Sequence, residues 1–356
     1  MPRGHVTAFF QFDVADAIDL RRLREHIDAT VPTRLTTKPA TPTYLQYQEP
    51  PLAFDGRAIG VADVEGFRVR LKAFDYGVLS IALSRPLPDT WDEVLVAALQ
   101  WQDDARLLPA AEQVCRDLLP RIGEAVTRPR DAFVSEDYFV FAIVADAHGE
   151  TAETLLGAHG PVIAQLLRAE REPLSGQERD EVLRHRISYY ATDVVIATWS
   201  SALVYDTPAG VAGVLEILEF ANSQLLEFRY YDQLLDAELA RIYASLQTAG
   251  WRYSWIGGRY ARAARQVHSL FIDVNELTDK AENALKIAGD VYAARVFGMT
   301  AARLGLDQWK GSVREKLKTV DDIYRFAVER TAITRGEFLE LTIVVLIVLE
   351  IVLFMH

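Results

Sequence analysis

The sequence predicts an α+β protein: a mixed or antiparallel sheet with covering helices, followed by a long helical coiled-coil hairpin ending in a C-terminal hydrophobic helix. Three observations predict it. Strand and helix signals alternate through the first half of the 356-residue chain. From Thr207 onward the pattern changes to long stretches with helical periodicity. The chain then closes on Leu341–Met355, LTIVVLIVLEIVLFM, in which Glu350 is the only charged residue. The corresponding divisions are residues 1–206 for the α+β part, with a subdivision near 130–150 left open, 207–337 for the helices and 338–356 for the terminal segment.

His5–Phe12 (HVTAFFQF) reads as a strand, and Ala17–Ala29 has helical spacing at Ile18, Leu23 and Ile27. A loop follows, because Pro32, Pro39, Pro42, Pro50 and Pro51 prevent a long helix. Three short strands are expected at Ala58–Val64, Phe67–Ala73 and Val78–Leu83, with turns at Gly66 and at Asp75–Gly77. Thr90 and Glu93 form a capping-box pattern opening a helical region towards Ile122. Phe133–Ala145 is the next strand. Two helices are expected between Thr151 and Arg186, the second opened by Ser175 and Glu178, and β-rich runs flank a turn at Trp199–Ser201. A strand, helix, strands, helix, strand order is that of an α+β fold.

Thr207 is a good N-cap and Pro208 suits the first helical position, so a helix runs from there to about Gln247, ended by Gly250. A second spans Ile256 to Gly305. Val267, Leu270, Val274, Leu277, Ala281, Ala284, Ala288 and Val291 alternate spacings of three and four along it, a coiled-coil seam. Gly305 closes this helix, Asp307 caps the next, and Val313, Leu317, Val320, Tyr324 and Ala327 continue the seam. The third helix has no breaker stronger than Gly336 before the apolar terminus.

At about 1.5 Å per residue that terminus covers roughly 22 Å, short of a hydrocarbon core of about 30 Å, so a span needs local thinning or snorkelling flanks. Its alternative is a buried helix in an oligomer core. Lys316, Lys318, Arg325, Arg330 and Arg335 all precede the segment, which places the body in the cytoplasm and makes the segment a single-pass C-terminal anchor, at a bacterial inner membrane. Glu350 is costly in lipid and is expected to make an intramembrane polar contact with another helix; a place near the far interface is the alternative.

The formal net charge is −12, and the acidic excess falls within residues 1–250, which argues against broad nucleic-acid binding by the N-terminal part. The single cysteine, Cys115, excludes an intrachain disulfide and reads as a small core residue. The opening residues lack an apolar h-region and carry Asp13, Asp16 and Asp19, so neither a secretory signal nor a mitochondrial presequence is expected.

The best surface-site candidate is WRYSWIGGRYARAARQ (Trp251–Gln266), where Arg252, Arg259, Arg262 and Arg265 interleave with Trp255 and Tyr260 and no acid intervenes. Arginines beside aromatics suit an anionic partner, whether bases, phosphates or lipid headgroups. A helix-helix corner paired with the acidic body accounts for the same residues. Glu216, Glu219, Glu227, Asp232, Asp236 and Glu238 make the preceding helix acidic, but one helix does not converge oxygen ligands on a metal, and a solvated or salt-bridged face is expected. The seven histidines form no metal-spaced pair, Ser200 and Ser201 lack a nucleophile elbow, and Gly257–Gly258 is no phosphate loop. No catalytic residue, metal ligand or cofactor is assigned.

The strings LEILEFANSQLLEFRYYDQLLD (Leu215–Asp236), ALKIAGDVYAARVF (Ala284–Phe297) and LELTIVVLIVLEIVL, with the opening AFFQFDVADAIDLRRL, resemble the family named for "required for meiotic nuclear division", which includes sporulation-related members and is otherwise a domain of unknown function. The likeness is strongest from about Phe133 to the C-terminus. It implies an α+β domain, long helices, a C-terminal membrane segment and self-assembly, and it supplies no catalytic residues. A mitochondrial member is linked to translation, which makes a ribosome one compatible cytosolic partner.

The leading expectation is therefore a non-enzymatic, tail-anchored membrane scaffold or tether that forms homo-oligomers and presents its α+β domain to a cytosolic partner. Its partners are the lipid bilayer, further copies of the chain and a ribosome or other cytosolic body, with direct nucleic-acid binding left open. Two alternatives stand beside it: an enzyme with an unrecognised nucleotide or phosphate site on the sheet, and a small oligomeric ion-transport assembly with Glu350 around a pore.

Overall fold

The computed structural model describes residues 2–26, 50–61, 63–145, 150–248, 291–323 and 325. They fall into two compact units, Met1–Tyr230 with Thr278–Gln308, and Tyr231–Leu277 with Trp309–His356. The first unit is α+β. Its strands are β1 (Gly4–Ile18), β2 (Leu52–Asp55), β3 (Asp63–Val64), β4 (Phe67–Ala73), β5 (Val78–Pro86), β6 (Val126–Val144), β7 (Arg186–Ile187), β8 (Val194–Ala197) and β9 (Ser201–Asp206). They form one sheet in the order β2-β4-β5-β1-β6-β9-β8-β7, with β3 on β4. The sheet is mixed, because β6 and β9 run parallel while the other pairs are antiparallel.

Alternation divides β1 between the two faces. Val6, Ala8, Phe10, Phe12 and Val14 join Leu79, Ile81 and Leu83 of β5 and Phe139, Phe141 and Ile143 of β6 in one apolar core. Four helices close that face: α2 (Trp91–Gln102), α3 (Leu107–Leu118), α4 (Ala152–Arg168) and α5 (Gly176–Arg184), through Val94, Ala98, Leu107, Cys115, Ile163, Leu167 and Val182 among others. Cys115 is fully buried there and burial pushes its thiol far up, so it is an inert core residue. The capping box of Thr90 and Glu93 forms in full, and Ser175 accepts from the Glu178 amide at the start of α5.

Several boundaries differ from the sequence expectation. β1 continues to Ile18, so α1 is only Leu20–His26. The region from Thr90 to Ile122 is two helices, broken between Asp103 and Arg106. The strand expected at 58–64 shrinks to β3, preceded by a 3-10 turn at Gly56–Ile59, and β2 follows directly on Pro51. β6 begins seven residues before the expected Phe133.

The helix α6 (Pro208–Thr248) is 41 residues long and starts where predicted, the Gly210 amide bonding to the Thr207 hydroxyl at 3.2 Å. Later come α7 (Val291–Leu304) and a helical stretch at 306–323. Gly305 lies between them at φ 68°, as a helix-closing glycine should, but Asp307 is already helical and caps nothing. Val291, placed on the seam, is 68% exposed, whereas Val313, Leu317 and Val320 are buried. Of the remaining seam residues, those from Val267 to Ala288, with Tyr324 and Ala327, lie outside the described residues. In the second unit Lys316 bridges Asp232 at 2.8 Å and Asp236 at 2.6 Å, and the Ser312 hydroxyl donates to Asp232 at 2.8 Å. No helix among the described residues is long and apolar enough to cross a membrane; Leu341–Met355 lies outside them.

Candidate functional site

The second face of the sheet is polar where the first is apolar. Strand register sets Lys72 opposite Ser80, Ser80 opposite Gln11 and Gln11 opposite Glu136, a polar row across four strands. In a strand pattern these residues would face water. Instead Gln11, Ser80 and Lys72 are buried, and α6 covers them.

The covering stripe of α6 is polar too. Glu216, Glu219, Ser223, Glu227 and Tyr230 recur at spacings of three and four, which places them on one helical face. Lys72 Nζ sits 2.5 Å from Glu216 Oε2 and also contacts the Glu219 carboxylate. The Gln11 amide donates to the Glu219 carbonyl at 2.8 Å, and Tyr76 meets the Ser223 hydroxyl at 2.7 Å. Arg229 is paired with Glu136. Burial alone would lower the Lys72 amine, but the two carboxylates outweigh it and hold the charge on; burial raises Glu216 against the pull of Lys72. The apolar side of the helix looks elsewhere, with Phe220 against Phe297 of α7.

A bulge completes the site. Val134 pairs with Asp13 and Pro129 with Ala15, so β6 carries extra residues opposite the Asp13–Ala15 stretch of β1. Such an insertion bends a strand and re-aims its side chains. Arg128 adopts a left-handed φ of 49°, and the bulge turns Arg130 onto the polar face. Arg130 Nε lies 2.8 Å from Asp13, its Nη1 3.0 Å from Asp16 and 2.6 Å from the Tyr230 hydroxyl, and the guanidinium stacks 3.7 Å from the Tyr230 ring centre. Gly77 seals the strand turn below, at φ 94°, where a Cβ would strike the Ala15 carbonyl. Burial pushes the Asp13 carboxyl up to about 6, only partly offset by Arg130. It pushes Glu227 well above the usual carboxylate range, reinforced by Asp13. Several buried polar atoms have no hydrogen-bond partner among the described residues: Gln11 Oε1, Ser80 Oγ, Gln224 Oε1, Glu227 Oε1 and both ends of the Asn222 amide.

Chemically, this is a charged seam whose cations are consumed by neighbouring carboxylates. It can fix the register of α6 on the sheet and hold a proton. Among the described residues no group of three or more His, Cys, Asp or Glu side chains is placed to hold a metal ion. The acidic face, expected to be solvated or salt-bridged, is thus divided: Glu216, Glu219 and Glu227 are buried against the sheet, while Asp232 and Asp236 pair with Lys316 and Glu238 with Arg241. Sequence reading missed Asp13, Lys72 and Arg130; the available signal was the alternation FFQFDVAD, with polar Gln11 and Asp13 inside an otherwise apolar strand. The predicted surface site, Arg252, Trp255, Arg259, Tyr260, Arg262 and Arg265, and the terminal Glu350 lie outside the described residues. Ser200 lies in the β8–β9 turn and Ser201 opens β9, where Ser201 Oγ donates to the Leu167 carbonyl at 2.9 Å and Tyr138 to the Ser201 carbonyl at 2.8 Å.

Residues 3–211 match the family described as the N-terminal domain of uncharacterized protein MJ0711. The chain belongs to this family. Its matched part runs from β1 into the first turn of α6, so it contains Gln11, Asp13, Lys72, Ser80 and Arg130 and stops short of the polar stripe on the helix. Uncharacterized protein MJ0711 of Methanocaldococcus jannaschii is 26% identical over 192 residues, which are 54% of this chain and 58% of the relative. The chain thus spans under two thirds of that relative's length. No solved structure matches.

Proposed function

We propose that this chain is a non-enzymatic, tail-anchored scaffold: the C-terminal segment holds it to a cytoplasmic membrane, the long helices self-associate, and the α+β unit faces a cytosolic partner. The observation that carries this reading is Leu341–Met355, an apolar run that needs lipid or protein cover. The heptad spacing from Val267 to Ala327 supports an antiparallel coiled-coil hairpin as the self-associating element. The seam agrees with it from the side of chemistry, since its cations are taken up by neighbouring carboxylates and hold a helix in place. The likeness of the 215–236, 284–297 and 339–353 strings to the meiotic-nuclear-division family agrees with a membrane-bound, oligomeric role, and translation machinery is one partner that likeness favours.

Vesicle flotation tests the anchor. Full-length chain is expected to rise with liposomes, and chain truncated after Arg335 to stay in the dense fraction. A truncated chain that still floats, or a full-length chain that remains soluble and monodisperse without detergent, would contradict the proposal.

A further inference from the structure

Around the bulge, three carboxylates stand against two guanidiniums, and the more exposed of these, Arg128, is taken up by Asp16 at 2.7 Å. Asp13 and Asp16 come from β1, Glu227 from α6, and Arg130, on Asp13 and Asp16, supplies the buried positive charge. The other groups facing them do not redress the balance. Asp75 from the β4–β5 turn adds repulsion at Glu227, and Tyr230 is neutral and already bonded to Arg130. Arg229 on α6 is held by Glu136 of β6, and Lys72 by Glu216 and Glu219. Arg303 of α7 donates to His185, and α7 meets α6 through an aromatic contact. Asp13 and Glu227 are both fully enclosed while Asp16 is only half-buried, and Glu227 Oε1 has no partner among the described residues. An ionised carboxylate in such a place is expensive, and a neutral acid is not.

We infer that the Asp13–Glu227 pair holds one proton at neutral pH, carried on Glu227, and that this proton keeps α6 seated on the sheet as a pH-operated catch. Asp13 stays the ionised member because Arg130 is 2.8 Å away. When the proton leaves, two buried negative charges oppose each other across the sheet-helix boundary with no further cation among the described residues to absorb them, and the helix loosens around Phe220–Tyr230. The catch does not depend on the membrane tether and survives if that reading fails.

The test is infrared spectroscopy of the folded full-length chain in deuterated buffer at pH 7. A buried protonated carboxylic acid has a carbonyl stretch separate from that of carboxylates. The band is expected in the wild type, lost in Glu227→Gln and retained in Asp16→Asn. If the wild type lacks it, the inference falls, and this arm requires no variant to fold. If the band survives in Glu227→Gln, the proton sits elsewhere and the assignment is wrong. Hydrogen exchange supplies the second readout: between pH 7 and 9, amides 220–230 should exchange several-fold faster than the intrinsic pH effect predicts in the wild type, and not in Glu227→Gln. Equal acceleration in both proteins would overturn the catch.

Discussion

One sheet carries two opposite kinds of interface. On the α2–α5 side, Phe12, Phe141 and Leu167 interlock without a polar atom to satisfy. On the α6 side, Lys72 and Arg130 answer buried carboxylates through defined contacts. An apolar interface is stabilising and tolerant of sliding, because burial is non-directional. A charged one contributes less net stability, yet a wrong register strands an unpaired charge at great cost. The difference teaches that the apolar face provides cohesion while the seam selects one position for α6.

The largest effects separate the two mechanisms. Phe12→Ala is expected to destabilise by about 3–5 kcal/mol through cavity formation, read from urea unfolding. Lys72→Met should cost roughly the same, about 3–5 kcal/mol, because Glu216 and Glu219 lose their cation. The distinction lies in rescue: adding Glu216→Leu and Glu219→Leu to Lys72→Met should restore most of the loss, and should not help Phe12→Ala. No rescue would mean that the seam is ordinary packing.

The next effect is a pH trend. Asp13 has its folded value raised from 3.8 to about 6, so its favourable share is full below pH 3.8 and is lost as pH rises through about 6. That shift corresponds to roughly 3 kcal/mol, and Glu227 adds to it in the same direction. Asp55 and Asp104, held at about 2 by Arg57 and Arg106, work the other way: their share is present above pH 3.8 and lost as pH falls towards 2. Stability should therefore decline from pH 4 to pH 6, with a shallower slope in Asp13→Asn. An unchanged slope in that variant would remove Asp13 from the account. The smallest effect is local: Thr90→Ala should cost about 1 kcal/mol by deleting the cap of α2, measurable as a small drop in the urea midpoint.

How far the sequence announces this molecule depends on which face a residue joins. β4 was legible to the residue, because FRVRLKA alternates cleanly and glycine-bearing turns bound it. The caps at Thr90, Ser175 and Thr207 were legible for the same local reason. β2 was hidden beside Pro50 and Pro51, and the early start of β6 was hidden by Arg128, Pro129, Arg130 and Asp131, which read as loop but form the bulge. The seam was illegible because period-two patterning assigns polar residues to solvent, and nothing local to Gln11, Asp13 or Lys72 reveals a helix some 140 to 220 residues later. In α6 the acids read as a solvated or salt-bridged face, and the burial of three of them was hidden because helical periodicity shows that residues share a side, not what that side meets.

The claim on which the rest turns is that Lys72 recognises α6 through paired charge. A double-mutant cycle between Lys72→Met and Glu219→Gln, followed by urea unfolding at pH 7, tests it most directly. The account predicts a coupling of about 1.5–3 kcal/mol, as for residues sharing one buried network. Additivity within about 0.3–0.5 kcal/mol, the range for independent sites, would contradict it.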